Sequence, residues 1–133
     1  LKEIEFLEAS LINEPDRVGN DEPIIIDLLL KRNDRSIKSC QYTIAFVDET
    51  DETVQCCITD PIPVPQDKDE FRLRLTIRNH GLTKRKYYIN LLAGTKDFSF
   101  GSRNYDVVVN VLSFEVRYYQ KKQNKKRKCS DRN

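Results

Sequence analysis

The sequence predicts an all-β, immunoglobulin-like antiparallel β-sandwich of about seven to eight strands. Three observations lead there. Apolar and polar residues alternate with period two in one short stretch after another, no window holds a helical period, and a proline-rich crossing segment divides the strands into two groups.

The first strand is IEFLEASLI, residues 4–12, with Ile4 and Phe6 on one side and Glu5 opposite. Its later half drifts in phase, which suggests a bulge. A loop rich in turn formers follows, from Asn13 through Pro15 and Gly19 to Asp21. The second strand, residues 23–32, places Ile24, Ile26, Leu28 and Leu30 inward and Asp27 and Lys31 outward, with Pro23 suited to a strand's first residue. In the third, Tyr42, Ile44 and Phe46 alternate with Gln41, Thr43, Ala45 and Val47, leaving an outer side almost free of charge. DETDE, residues 48–52, forms an acidic turn, for which a solvated surface is the first reading and a calcium site the minor one.

The fourth strand, Thr53 to Thr59, is expected to bury Val54, Cys56 and Ile58 and to present Gln55, Cys57 and Thr59. Pro61, Pro63 and Pro65 then carry the chain across to the other sheet. The clearest strand is the fifth, where Phe71, Leu73, Leu75 and Ile77 alternate with Arg72, Arg74, Thr76 and Arg78. Asn79, His80 and Gly81 favour a reversal, and His80 reads as a turn residue because no partner for catalysis is evident. The sixth strand starts at Lys86 and sends Tyr87, Ile89 and Leu91 one way and Tyr88, Asn90 and Leu92 the other. Residues 96–104 form a loop or short hairpin with Phe98 and Phe100. The last strand, residues 105–118, is apolar on both faces in its first half, so either a bulge changes its phase near Val111 or it lies in a seam between two chains.

At 133 residues one domain is expected, covering 1–118, followed by a basic, disordered tail over 119–133. The chain holds 23 Lys and Arg against 21 Asp and Glu. The last 13 residues contain seven basic side chains and one acidic, which leaves a mildly acidic body. The tail lacks interleaved aromatics, so solubilisation comes first, contact with a membrane surface second and nucleic acid last. Position 1 is not Met, which fits a processed product or a segment cut from a longer protein; a segment is the expectation, and it leaves room for a catalytic or membrane partner upstream of Leu1. Cys40, Cys56, Cys57 and Cys129 show no CxxC spacing and suit a reducing compartment, and the sole histidine makes zinc a minor reading. No cofactor is implied, because no GxxxxGK[ST] phosphate loop is present and any ATP hydrolysis belongs elsewhere.

In an immunoglobulin-like arrangement the first, second and fifth strands share one sheet and the third, fourth, sixth and seventh the other. The first sheet's outer face is then ordinary solvated charge. The second presents Gln41, Thr43, Gln55, Thr59, Tyr88 and Asn90. Amides and hydroxyls meet sugar hydroxyls, and an aromatic ring covers a pyranose's C–H face. The predicted ligand-binding residues are therefore Tyr88, Asn90, Thr43, Gln41 and Gln55, with no catalytic residue and no metal ligand. Tyr88 also fits a plainer role as an aromatic on a partly covered strand.

The segments Ile4 to Phe6, Pro23 to Leu30, Tyr42 to Asp48, Gly81–Leu82, Tyr87 to Leu91 and Leu112-Ser113-Phe114-Glu115-Val116 together resemble the C-terminal carbohydrate-binding domain of Wzt-type subunits. Those are the ATP-binding subunits of ABC transporters that export O-antigen polysaccharide. The resemblance implies a cytoplasmic, non-enzymatic, glycan-binding domain at the inner face of the inner membrane. It further implies an upstream nucleotide-binding domain, a transmembrane partner subunit, and homodimers formed by exchange of the last strand. The family's sugar face falls near Tyr88 and Asn90, with Tyr42, Tyr105 or Phe98 as further stacking candidates. Lys84, Arg85 and Lys86 stand where relatives commonly carry a glycine. The alternative is a structural sandwich whose apolar last strand mediates dimerisation without a ligand.

Overall fold

A computed structural model describes residues 2–97 and 101–118; Phe98, Phe100 and the basic segment 119–133, with Cys129, lie outside the described residues. The described residues form nine strands: β1 (Ile4–Leu11), β2 (Val18–Gly19), β3 (Ile24–Arg32), β4 (Ser39–Val47), β5 (Thr53–Ile58), β6 (Ile62–Pro63), β7 (Glu70–Ile77), β8 (Lys86–Asp97) and β9 (Gly101–Arg117). One sheet runs β1-β3-β7. The other runs β2-β9-β8-β4-β5, with β6 attached to β4. This is the expected sandwich and the expected division between sheets. The two strands absent from the sequence reading are the two-residue β2, which joins β9 in parallel, and β6, formed within the proline crossing.

The core follows from the alternation. Ile24, Ile26, Leu28 and Leu30 face Tyr42, Ile44 and Phe46 of β4, Ile89 and Leu91 of β8, and Phe114 and Val116 of β9, all buried. Each such side chain contributes on the order of 1.5–3 kcal/mol when removed from water. Aromatic contacts tie strands together: Phe6 meets Tyr42 edge-on at 6.5 Å from the opposite sheet, and Phe46 meets Phe114 at 5.8 Å within one sheet. At one margin the sheets are joined by polar contacts as well. Phe6 N–H donates to Asp106 Oδ2 at 2.9 Å, and Lys2 Nζ lies 3.2 Å from Asp106 Oδ1.

Turns are held by the polar residues the sequence supplies. Buried Asn13 accepts the Ile25 N–H at 2.9 Å and donates to Glu22 and to the Pro23 carbonyl at 2.8 Å, which orders the loop ahead of β3. Gly81 adopts φ +69° and Asn79 φ +53° in the predicted reversal. His80 between them is buried and does more than turn the chain. Leu82 N–H donates to its Nδ1 at 3.0 Å, so the proton sits on Nε2, which donates to the Gly19 carbonyl at 3.1 Å and pins β2. In the acidic turn, Asp48 Oδ1 accepts from Thr50 N–H, Thr50 Oγ1 and Glu52 N–H, while Oδ2 meets Arg85 Nη1 at 3.2 Å. That carboxylate is committed to the turn itself.

Both anticipated irregularities are present. β1 shifts register between Phe6 and Glu8. The doubly apolar part of β9 bulges between Val108 and Leu112, with Asn110 at φ +51°. One phase assignment is overturned: Val54, Cys56 and Ile58 are exposed, whereas Gln55 and Cys57 turn toward the core side. Gln55 pairs with buried Phe46 and Cys57 with buried Ile44, and residues directly opposite in a sheet share a face. β5 is the last strand of a sheet wider than the one it faces, and none of its residues is buried. Without a covering layer, apolar side chains there have no interior to seek.

Candidate functional site

The outward face of the six-stranded sheet is built from rows that cross it. Ile58 of β5, Thr43 of β4, Leu92 of β8 and Val107 of β9 are successive cross-strand partners and form one row. On one side of it lie Gln41, Gly94 and Asn104. On the other lie Cys56, Ala45 and Asn90, and beyond them Tyr88 with Ser113. The strand period of two puts these residues on one side because their neighbours Tyr42, Ile44, Tyr87, Ile89 and Leu91 are held in the core.

A hollow of about 190 Å³ opens at the first two of these rows. Leu92 and Ile58 supply branched aliphatic surface, and Gln41, Thr43, Thr95 and Asn104 supply amides and hydroxyls. The Gln41 amide is oriented by donation from Nε2 to the Thr59 carbonyl at 3.1 Å. Gly94 completes the lining where β9 passes too close for a side chain. A Cβ there would sit 2.4 Å from the Arg103 carbonyl oxygen. Among the described residues none that lines the hollow is ionisable, so these side chains can hydrogen-bond and pack but offer no proton donor or acceptor near neutral pH. Hollows elsewhere are of another character: one on the opposite sheet is lined by Asp27, Arg72 and Arg74, with Arg74 paired to Asp27 at 2.7 Å and 2.9 Å.

The structure brings Gln41 and Thr43 together in the hollow and sets Asn90 and Tyr88 farther along the same face. Four residues of extended chain, about 13 Å, separate Tyr88 from Leu92. Asn90 has a structural partner, since its Oδ1 accepts the Asn110 N–H at 2.7 Å. Tyr88 is half-buried, with Lys86 Nζ 5.5 Å from its ring centroid, so this end of the face is not free of charge. Gln55 is not on this face, for the reason given above, and Thr59 uses its hydroxyl to accept the Tyr42 N–H at 3.1 Å. Tyr42 and Tyr105 are buried and unavailable for stacking. Leu92, Ile58, Thr95 and Asn104 line the hollow but are not among the residues the sequence predicts for it. Leu92 already stood in phase with Tyr88 and Asn90 in the sequence, which was the available signal for it.

No family profile matches the sequence, and no curated protein matches it. Among solved structures, the fold is shared with the C-terminal domain of Wzt, at 8% identity and a TM-score of 0.71, over 90% of this chain and 76% of that one. More distant likenesses include a CARDB domain from Pyrococcus furiosus solved with two metal ions, at 14% identity and a TM-score of 0.48 over 89% of this chain and 96% of that one. A β-glucosidase from Listeria innocua with bound glucose shows 16% identity and a TM-score of 0.48, over 86% of this chain and 16% of that enzyme.

Proposed function

We propose that this domain binds a neutral polysaccharide of O-antigen type on the outward face of its six-stranded sheet, without catalysis, in the service of an ABC transporter that exports the polymer. The observation that carries the reading is the uncharged hollow at Gln41, Thr43, Leu92 and Asn104, where amides, hydroxyls and aliphatic surface converge. The fold shared with the Wzt C-terminal domain supports it. On this reading the domain is cytoplasmic, at the inner face of the inner membrane, and acts beside a nucleotide-binding domain and a transmembrane subunit, with polysaccharide and not nucleic acid as its partner. An open site of this kind binds at roughly micromolar to millimolar strength.

The test is calorimetric titration of the folded chain with purified O-polysaccharides, repeated with Thr43→Lys, which fills the hollow from an outward strand position. Binding that the substitution removes supports the proposal. A stable protein that binds no polysaccharide in a broad panel overturns it.

A second reading is favoured by one observation. Val107, Val109 and Val111 of β9 are 48%, 66% and 36% exposed, an apolar row on a strand whose far edge is bonded, among the described residues, chiefly at its C-terminal end. Homodimerisation through this last strand would cover it, with or without a glycan ligand. Val109→Lys then yields a monomer by light scattering, whereas a wild-type chain that is already monomeric removes this reading.

A further inference from the structure

β7 ends the three-stranded sheet on one side, and among the described residues no strand pairs with its far edge. Arg32 N–H donates to the Asp69 carbonyl, and β3 and β7 run antiparallel in unbroken register from Ile24–Ile77 to Lys31–Glu70. The alternation of an antiparallel ladder then commits the main-chain groups of Phe71, Leu73, Leu75 and Ile77 to β3 and turns those of Arg72, Arg74 and Thr76 to the free edge. The same three residues are exposed, with their side chains on the outer face. Directly across from Arg74 stands Asp27, which accepts from it at 2.7 Å and 2.9 Å. Directly across from Arg72 stands Leu29, and among the described residues no salt bridge engages Arg72. Beside Arg72 a hollow of about 440 Å³ opens, lined also by Leu29, Pro65 and Lys68. Arginines on an edge turn away basic strands and suit an acidic one, because opposite charges directly across a ladder attract and like charges repel.

We propose that the free edge of β7 takes up an extended acidic segment of another protein as a fourth strand. Its main chain bonds to Arg72, Arg74 and Thr76, and one of its carboxylates stands opposite Arg72. The surface belongs to the sheet opposite the uncharged face, so it does not depend on the glycan reading. A second copy of this chain fits less well. Two folded β7 edges meet along one short strand apiece, too little for the roughly 1,000 Å² of a lasting interface, and neither enters the other's hollow. An unfolded segment follows the edge and continues past Arg72 to Pro65 and Lys68.

The experiment is amide-resolved NMR titration of the full chain at pH 7 with an end-blocked octapeptide of alternating glutamate and valine, and with alternating lysine and valine as its control. The glutamate peptide is expected to shift the Arg72, Arg74 and Thr76 amides and to slow their hydrogen exchange, and the lysine peptide to do neither. Arg72→Glu weakens binding of the glutamate peptide about fivefold and admits the lysine peptide. Thr76→Pro removes a free-edge N–H that β3 does not use, which an edge strand tolerates, and it abolishes binding. It also makes the test should Arg72→Glu fold poorly. No shift at these amides, binding that survives Thr76→Pro, or indifference to the charge at position 72 overturns the inference. Self-association of the chain that Thr76→Pro removes also overturns it, by placing a second copy on the edge.

Discussion

Asn90 Oδ1 accepts the backbone N–H of Asn110 at 2.7 Å, and Asn110 adopts φ +51°. The side chain of one strand thus holds open the bulge of the next, where the register between β8 and β9 shifts. Asn90→Ala leaves that N–H to solvent and is expected to lower stability by about 0.5–1.5 kcal/mol. Asn110→Val, which places a β-branched residue in the left-handed region, costs about 1–2 kcal/mol. Asn110→Gly is neutral or slightly stabilising. Urea unfolding of the three variants checks this ordering, and a neutral Asn90→Ala would show that the bulge holds without its acceptor.

The division into sheets was legible because the alternation at Ile24 to Leu30 and Tyr87 to Leu91 marks strands covered on one face, and an immunoglobulin-like order then places the first, second and fifth strands in one sheet and the rest in the other, as observed. The placement of Gln55 was not legible. Val54, Cys56 and Ile58 carry the hydropathy of a buried face, and local pattern cannot register that the opposing three-stranded sheet leaves the strand at this margin uncovered. The hollow was half legible for a related reason. Gln41 and Thr43 declare themselves as outward polar residues, but Asn104 and Thr95 join them only through cross-strand pairing that no single strand contains.

Lys86 bears on whether Tyr88 serves as a sugar platform. Its ammonium lies 5.5 Å from the ring centroid, on a half-buried tyrosine whose phase is outward. A pyranose stacking on that ring competes with the ammonium. Tyr88→Ala is therefore expected to abolish polysaccharide binding with little change in Tm, and Lys86→Ala to strengthen binding a few-fold, read by the same calorimetric titration. If Tyr88→Ala unfolds the domain, the ring belongs to its packing instead.

His80 bridges the Gly19 carbonyl and the Leu82 N–H from a site only 1% exposed. Its replacement by Ala strands the buried Leu82 N–H and takes one of two hydrogen bonds from the Gly19 carbonyl, which keeps the Glu22 N–H at 3.2 Å, for an expected loss of about 1–3 kcal/mol. Amide exchange should locate the damage: the Leu82 N–H and the β2 segment lose protection, while the β3–β7 ladder keeps it. Uniform loss across both sheets would contradict a local role.

Asp48 gives the fold a component of acid sensitivity. Hydrogen bonds from Thr50, first through its hydroxyl, and from the Glu52 N–H hold its carboxyl below the ordinary carboxylate range, with Arg85 adding to them. A carboxylate whose folded pKa is depressed contributes stability above its unfolded pKa, and that contribution is lost as pH falls through the folded value. Glu3, Asp27 and Asp34 are lowered as well, by the Glu3 backbone N–H and Arg103, by Arg74, and by Ser36 respectively. Tm is thus expected to fall as pH drops below about 4. Asp48→Asn lowers Tm at pH 7 by a few degrees and flattens that slope, and an unchanged slope would assign the sensitivity to the other three carboxylates.

Arg32 occupies the next inward position after Leu30 in the β3 alternation, and its side chain is 1% exposed. Among the described residues its Nε and Nη1 have no hydrogen-bond partner, and Nη2 reaches Asp69 Oδ1 only at 3.9 Å. A guanidinium desolvated to this degree against one distant carboxylate recovers little of its hydration. The backbone contact at this point, Arg32 N–H to the Asp69 carbonyl at 2.7 Å, does not depend on the side chain. Arg32→Met keeps the aliphatic stem and removes the charge, and is expected to raise stability by about 1–3 kcal/mol. Arg32→Ala, which opens a cavity while relieving the same charge, should gain less or lose. The order Met above wild type above Ala, measured by urea midpoint, identifies the buried charge as the destabilising element. A destabilised Arg32→Met would instead mean that the guanidinium, not its stem, holds the end of the sandwich together.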